Sequence, residues 1–498
     1  MNDPGQLSFR KQFVLSQRGL ELPKAVLYEV ADFRLYCHEE LKVSQGKLPG
    51  LDFYLVGDLF DAENTAYNNE DIVREVEKVT QTFEELLLAF DRYCGSFFVI
   101  VHGLKDQELT VFTDATSQRE VFYAPLPDSG DLVLASQPAL FSELFSFKKV
   151  DDPVAAQFFA SEAFVKKRAF VGDLTNLDQV KRLKPNFWLN LRSGQVNRHF
   201  PTVSLPKADM EKVAVEAAAL LKGFIQAASE RFDLVIPVSG GWESRVLLAA
   251  SQPIQSKVNY FVLKHPGYSE SHPDISTPNR LLQRLGLKLN ITEYATELDE
   301  GFMSAVARWV SFPRNRTFHY LLNGLAPQWQ HYMMLNGNVS EIARMEWDDL
   351  KVKNGKVMAH MERYPNQVYA ERYYDQWLVE NKADFERLGY SVADMLYWEE
   401  NCPNWVAKTN TETRLVEEIL QPFNSRKLLT LLLSVDKKYR NKQNPILYAR
   451  IIDHLWADCL SEPVNTGLKK KLIKAMQKMG VYGFYRNLSM DIKILLKK

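Results

Sequence analysis

Between about residue 25 and residue 145, apolar positions come in short runs rich in β-branched and aromatic side chains. Phe53-Tyr54-Leu55-Val56, Ser96-Phe97-Phe98-Val99-Ile100-Val101 and Leu109-Thr110-Val111-Phe112 are examples, and Gly57-Asp58 and Gly103 punctuate them as turns. One longer stretch, Asp71 to Tyr93, changes period. Its apolar residues Val73, Val76, Val79, Phe83, Leu86, Leu87 and Phe90 recur at helical spacing. Short strands with one helical insertion predict an α+β domain built on antiparallel sheets. Two further strands are predicted at Phe187–Leu191 and Gln195–Arg198, joined by an Arg192-Ser193-Gly194 hairpin turn, and Pro201 to Pro206 reads as a linker.

From Met210 the pattern becomes helical, with Val213, Val215, Ala218, Leu221, Phe224, Ile225 and Ala228 read as one face ending near Arg231. Leu234-Val235-Ile236 then reads as a buried strand, Val246-Leu247-Leu248-Ala249-Ala250 as the start of a helix, and Val258 to Leu263 as a second buried strand. A helix over Pro278–Leu285 and a strand and turn over Met333–Gly337 follow. Strands alternating with helices predict a parallel sheet, with sites at the C-terminal ends of its strands. After about Lys351 the chain reads as mostly helical. The organisation expected is residues 1–200, residues 210–465, and a tail of residues 466–498.

With 498 residues, two to three domains are expected. A net charge of −1 creates no global field for nucleic acid, so no nucleic-acid partner is implied. The four cysteines, Cys37, Cys94, Cys402 and Cys459, have no metal-binding spacing and read as reduced thiols. The first residues lack a basic segment followed by an apolar one, and no run of about 18 apolar residues occurs. A cytoplasmic protein is expected. The tail is the exception to the balanced charge. Lys469, Lys470, Lys471, Lys474, Lys478, Arg486, Lys493, Lys497 and Lys498 stand against Asp491 alone, with apolar residues interleaved. Such a tail either lies weakly on an anionic membrane surface or docks as a solvated helix.

The candidate chemistry centres on Pro237-Val238-Ser239-Gly240-Gly241-Trp242-Glu243-Ser244-Arg245. A strand, a Ser-Gly-Gly turn and a helix make an anion cradle. Backbone N–H groups at a helix N-terminus point at the anion, and glycine permits close approach. The Walker ending, Gly-Lys-Ser/Thr, is missing. The loop instead resembles the Ser-Gly-Gly-x-Asp-Ser loop of ATP pyrophosphatases, with Glu243 in place of the aspartate.

Further motifs in the same order resemble the asparagine synthetase family, with its β-lactam synthetase-like relatives, across roughly residues 50 to 465. Gly57-Asp58-Leu59-Phe60, Tyr93-Cys94-Gly95-Ser96-Phe97-Phe98, Thr113-Asp114-Ala115 and Leu134-Ala135-Ser136-Gln137 are similar to elements of its amidotransferase domain. Leu183-Lys184-Pro185-Asn186 with Arg198-His199-Phe200-Pro201 resembles its bridge between domains. His272-Pro273-Asp274, Asn336-Gly337-Asn338-Val339-Ser340-Glu341 and Gln421-Pro422-Phe423-Asn424-Ser425-Arg426 resemble elements of its synthetase domain. The resemblance implies a degenerate N-terminal nucleophile-type, class II amidotransferase-like domain. An ATP-pyrophosphatase domain of the adenine nucleotide α hydrolase-like type would follow, with a helical C-terminal part.

The implied reaction joins a small-molecule carboxylate to ammonia or an amine, with ATP and Mg2+ as cofactors and AMP and pyrophosphate as products. Ser239, Gly240, Gly241, Trp242, Glu243, Ser244, Val262, Leu263 and Gly337 would bind the nucleotide, and Glu243 and Glu341 the magnesium. Both acidic positions are aspartate in the family. Arg245 would reach a phosphate or form an ordinary ion pair. Lys442 would replace the family's lysine for amide formation, which is missing from Asn444–Arg450. Glutamine-hydrolysing relatives need a cysteine directly after the initiator methionine. This chain has Asn2 there, so no glutaminase activity is expected. A catalytically inactive homologue acting as a binding or regulatory protein, and an adenylating ligase for a specialised carboxylate, remain open. A homodimer is open as well.

Overall fold

The computed structural model describes residues 7–464 apart from 330, 348, 349 and 443, together with 473, 476 and 479–496. The first half of the chain forms β1 (Phe13–Ser16), β2 (Ala25–Val30), β3 (Phe33–His38), β4 (Val43–Leu48), β5 (Leu51–Phe60) and β6 (Cys94–Gly103). It continues with β7 (Leu109–Thr113), β8 (Phe122–Pro125), β9 (Leu132–Ala135), β10 (Lys181–Arg182), β11 (Phe187–Asn190) and β12 (Val196–Arg198). These make two six-stranded sheets, ordered β10-β8-β9-β1-β3-β2 and β12-β11-β7-β6-β5-β4. Every pairing is antiparallel.

The two-residue period of the strands divides their side chains between layers. Phe13, Leu15, Leu35 and Cys37 of one sheet share a buried cluster with Phe98, Ile100 and Val111 of the other, so the sheets pack face to face. The rings of Phe13 and Phe98 meet there with centroids 4.3 Å apart. The alternate residues Phe97, Val99 and Val101 face outward onto a helical layer. That layer departs from expectation. It is two helices, Asn69–Val79 and Phe83–Phe90, where one continuous helix is predicted. The break lies at Thr80–Thr82. There Thr82 and Glu85 form a capping box that starts a new helix despite the continuing apolar period.

The second half carries β13 (Leu234–Pro237), β14 (Val258–Lys264), β15 (Leu289–Glu293), β16 (Met333–Leu335) and β17 (Glu418–Leu420), a five-stranded sheet ordered β15-β14-β13-β16-β17. All its pairs are parallel. From β13 the chain moves outward to β14 and β15, then returns to the other side of β13 for β16. The strand order therefore reverses between β13 and β16, the switch point beyond whose C-terminal ends open parallel sheets form their crevice. Helix Met210–Ser229 buries its small and apolar face in the core on one side of this sheet. The predicted helix at Pro278 begins earlier, at Pro273, where proline takes a first-turn position behind the His272 cap.

The helical region after Lys351 includes a π-helix, Tyr397–Ala407, and it also supplies β17, which the helical pattern does not foreshadow. Polar side chains join the halves. Arg182 donates to Glu120 at 2.7 Å and to Asn404 of the π-helix at 2.7 Å. Glu399 accepts from Arg198 at 3.0 Å and from Asn186 at 3.1 Å. No helix among the described residues is long and apolar enough to cross a membrane. Of the basic tail residues, Lys469, Lys470, Lys471, Lys474, Lys478, Lys497 and Lys498 lie outside the described residues.

Candidate functional site

β13 ends at Pro237, and the Val238 N–H still bonds the Phe261 carbonyl of β14 at 2.8 Å. The chain then turns out of the sheet through Ser239-Gly240 and enters helix Trp242–Ala250 from an extended Gly241 N-cap. Two serines hold this turn. Ser239 Oγ and Ser244 Oγ lie 2.9 Å apart, the Ser239 N–H donates to Ser244 Oγ at 3.0 Å, and the Gly241 N–H donates to Ser239 Oγ at 3.2 Å. No side chain caps the helix. The N–H groups of its first turn therefore have neither an intrahelical acceptor nor a capping partner, and the positive end of the helix dipole lies at the mouth of the loop. Beside Gly240 the loop is open: a Cβ built there meets no atom within 4 Å.

The turn after β16 closes the other side of the crevice. A Cβ on Gly337 would come within 2.6 Å of the Glu243 Cβ, so the close approach of these two segments requires glycine. Downstream, Val339 has φ 80°, a strained backbone for a β-branched residue, held by complete burial of its side chain. Glu341 follows. Its Oε2 is buried without a hydrogen-bond partner. Burial and the nearby charge of Glu243 push its carboxyl well above the usual carboxylate range.

The group that answers these acids is Arg344, a residue the sequence reading missed. Arg344 is only 8% exposed, and its guanidinium pairs with Glu243 and approaches Glu346 at 3.9 Å. It also donates to the Lys442 carbonyl at 3.2 Å. The Lys442 ammonium in turn donates to the Glu346 carbonyl at 3.1 Å and pairs with its carboxylate. The alternating charges of Glu341, Arg344 and Glu346 were the available signal.

Magnesium needs several oxygens at about 2.1 Å in near-octahedral array. Here one expected ligand, Glu243, is already held by a guanidinium, and the other, Glu341, has a buried Oε2 without a hydrogen-bond partner. Among the described residues no group of three or more His, Cys, Asp or Glu side chains forms a metal cluster. As arranged, the Glu243 carboxylate is engaged by Arg344, so a divalent ion there would have to compete with the guanidinium.

Other expected site residues sit elsewhere. Arg245 is fully buried, and its guanidinium donates to the carbonyls of Cys459 and Pro463 at 3.0 Å each, facing away from the loop. The structure thus replaces the expected phosphate contact with a tie between the helix and residues 459–463. Trp242 packs into the core, 7% exposed. Val262 and Leu263 lie just before Lys264 at the end of β14, Val262 buried and Leu263 packed beside the apolar cluster.

In the first half, Cys37 and Cys94 are fully buried, and burial pushes both thiols up, so neither offers a thiolate. Gly57 and Gly95 have a packing role. A Cβ on either would lie within 2.2 or 2.3 Å of a carbonyl oxygen on the neighbouring strand. Asp114 accepts backbone N–H bonds from Phe97, Thr116, Gln118 and Arg119 and an amide bond from Asn424 of the second half at 2.9 Å.

No family model matches the chain, and no curated protein matches it. Solved structures do overlap with it in part. An allosteric regulatory enzyme of purine biosynthesis is 9% identical, with a TM-score of 0.25 over 61% of this chain and 72% of that one. The U34-tRNA thiolase NcsA from Methanococcus maripaludis, solved with its [4Fe-4S] cluster, is 12% identical, with a TM-score of 0.24 over 57% of this chain and 80% of that one. A glutamine-dependent NAD+ synthetase from Acinetobacter baumannii, in complex with ADP, is 13% identical, with a TM-score of 0.21 over 40% of this chain and 44% of that one. Overlays this loose say nothing of chemistry. The class the molecule itself defines is an antiparallel double sheet joined to a parallel sheet with a Ser-Gly-Gly loop at its switch point.

Proposed function

We propose that this protein binds ATP with its phosphates on the Ser239–Ser244 loop and uses it to activate a small-molecule carboxylate for amide formation. A carboxylate oxygen attacks the α-phosphorus, the bond from that phosphorus to the bridging oxygen breaks, and pyrophosphate leaves. Ammonia or an amine then attacks the acyl carbon, the bond to AMP breaks, and the nitrogen gives up a proton. One observation carries this reading. An uncapped helix N-terminus stands at the topological switch point of a parallel sheet, and a glycine turn seals its flank. Oriented N–H groups there favour negative charge as it gathers on the departing phosphates. In this reading Lys442, whose ammonium pairs with Glu346, would supply positive charge for the amide-forming step.

The test is incubation with ATP and ammonium across a panel of carboxylates, with AMP and pyrophosphate quantified. Carboxylate-dependent formation of both is expected. If calorimetry detects no nucleotide binding, the reading fails at its first step.

A second reading, a nucleotide-binding protein without turnover, is favoured by the Arg344–Glu243 pair, which fills the place expected for a metal. It expects ATP binding that is indifferent to magnesium and yields no pyrophosphate.

A further inference from the structure

The C-terminal helix, Tyr482–Leu496, docks on the molecule by a single face. Met490 and Ile494 pack against the main core. The Asn487 side chain accepts the Lys351 N–H at 2.9 Å, and Asp491 receives the Lys353 ammonium at 2.8 Å. With 3.6 residues per turn, these four residues share one arc of the helix. A second arc carries Phe484, Leu488, Ile492 and Tyr485, which are 75%, 46%, 43% and 52% exposed. Met479 and Val481, just before the helix, add to it at 66% and 46% exposure. The third arc is polar, with Ser489, Lys493 and Arg486. An ordinary surface helix turns its apolar stripe inward. This one has a second stripe facing out, and a contiguous apolar patch of that kind marks an interaction surface.

We infer that this face binds the surface of an anionic lipid membrane, with the helix lying in the interface plane. Charge selects the occupant. Arg486 and Lys493 border the apolar arc, and Lys351, Lys353 and Lys356 lie on the segments against which the helix docks. Residues 466–498 hold nine Lys or Arg against one acid, Asp491, which Lys353 already engages. Anionic headgroups satisfy this fringe, whereas a second copy of the helix would bring like charges together. Phe484 and Tyr485 are the residue types that settle at the boundary between headgroups and acyl chains. An apolar face and a basic fringe are two weak signals that together anchor a peripheral protein.

Sedimentation of the full-length protein with phosphatidylcholine vesicles, with and without phosphatidylserine, tests this. Binding is expected to be about tenfold tighter on the phosphatidylserine vesicles and to weaken as salt rises. The double variant Phe484→Glu/Leu488→Glu should lose that binding with an unchanged thermal melt, because both side chains point away from the core. Arg486→Gln/Lys493→Gln should weaken it less. Equal binding to both vesicle types, or to neither, overturns the inference. It is also overturned if the wild type self-associates without lipid and the glutamate variant is monomeric, since the face would then belong to a second copy.

Discussion

The seam between the halves and the loop after β13 are built from similar polar side chains, used in opposite ways. At the seam many groups are spent on other parts of the chain. Glu120 accepts from Arg182, Gln137 and Thr411 at 2.7, 2.8 and 2.6 Å. Arg414 donates to the Gln118 carbonyl and Ser96 Oγ at 2.7 and 2.6 Å. Asn424 ties the Asp114 carboxylate to Thr116, whose hydroxyl donates to it at 2.8 Å. At the loop, Ser239 and Ser244 satisfy one another and leave the helix N–H groups turned outward. Buried polar groups that are fully paired make structure, and those left uncapped at an opening await a ligand. The two regions thus differ in what their polar groups face: other parts of the chain at the seam, and the ends of β13 and β16 at the loop.

Breaking the seam gives the largest expected effect. Glu120→Ala leaves Arg182, 2% exposed, without its carboxylate, and should cost about 3–5 kcal/mol in urea unfolding. Substitution in the loop should spare stability and damage binding. On Gly241 even a Cβ comes within 3.1 Å of Glu243 Oε2 and 3.3 Å of Ser239 Oγ. Gly241→Val should therefore weaken ATP binding by about 10–100-fold, or about 1.4–2.8 kcal/mol, in calorimetry. An unaffected affinity would remove the phosphates from this loop.

A seam carboxyl without a partner sharpens the contrast. Both oxygens of Glu417 are buried and unbonded, and burial pushes its carboxyl from 4.5 up to about 8. The folded state therefore holds the proton more tightly than the unfolded chain. The stability this supplies is complete below pH 4.5 and is lost as pH rises toward 8. Glu417→Gln should match the wild type near pH 5 and exceed it by about 1–3 kcal/mol at pH 8, measured by denaturant midpoints. The smallest effect is expected at Arg344. Arg344→Gln releases Glu243 and should make ATP affinity rise a few-fold on adding magnesium, where the wild type shows little response. If the variant is equally insensitive, the guanidinium is not what keeps a metal away.

How much of this was legible in the sequence follows the range of the interactions. The runs around Phe53, Ser96, Leu109, Leu234, Val258 and Met333 fall inside observed strands, because each is a local period bounded by local turn residues. The Ser-Gly-Gly turn was legible for the same reason, since two serines five residues apart hold it. The split at Thr82 was missed because apolar spacing runs straight through a cap. β17 was missed because three residues are too short for a period to show. Arg344 sits in a turn with no repeat, and its role emerges only when the ends of β13 and β16 meet. Arg245 was misplaced because its partners lie more than 200 residues away. The seam is invisible by nature: Asn410 and Gln118, bonded to each other, are 292 positions apart.

The short strand β17 also sets a timetable for the birth of the molecule. It completes the parallel sheet beside β16, and Glu418 within it receives the Lys11 ammonium at 2.6 Å. Arg414, Asn424 and Arg426, which bind the first half, leave the ribosome with the same segment. A nascent chain thus carries its finished antiparallel sandwich with an unsatisfied polar wall for about 220 residues of synthesis, from Arg198 to Glu418. A ribosome halted before β17 would release a product with both an open sheet edge and unpaired buried charges, a ready substrate for quality-control proteases.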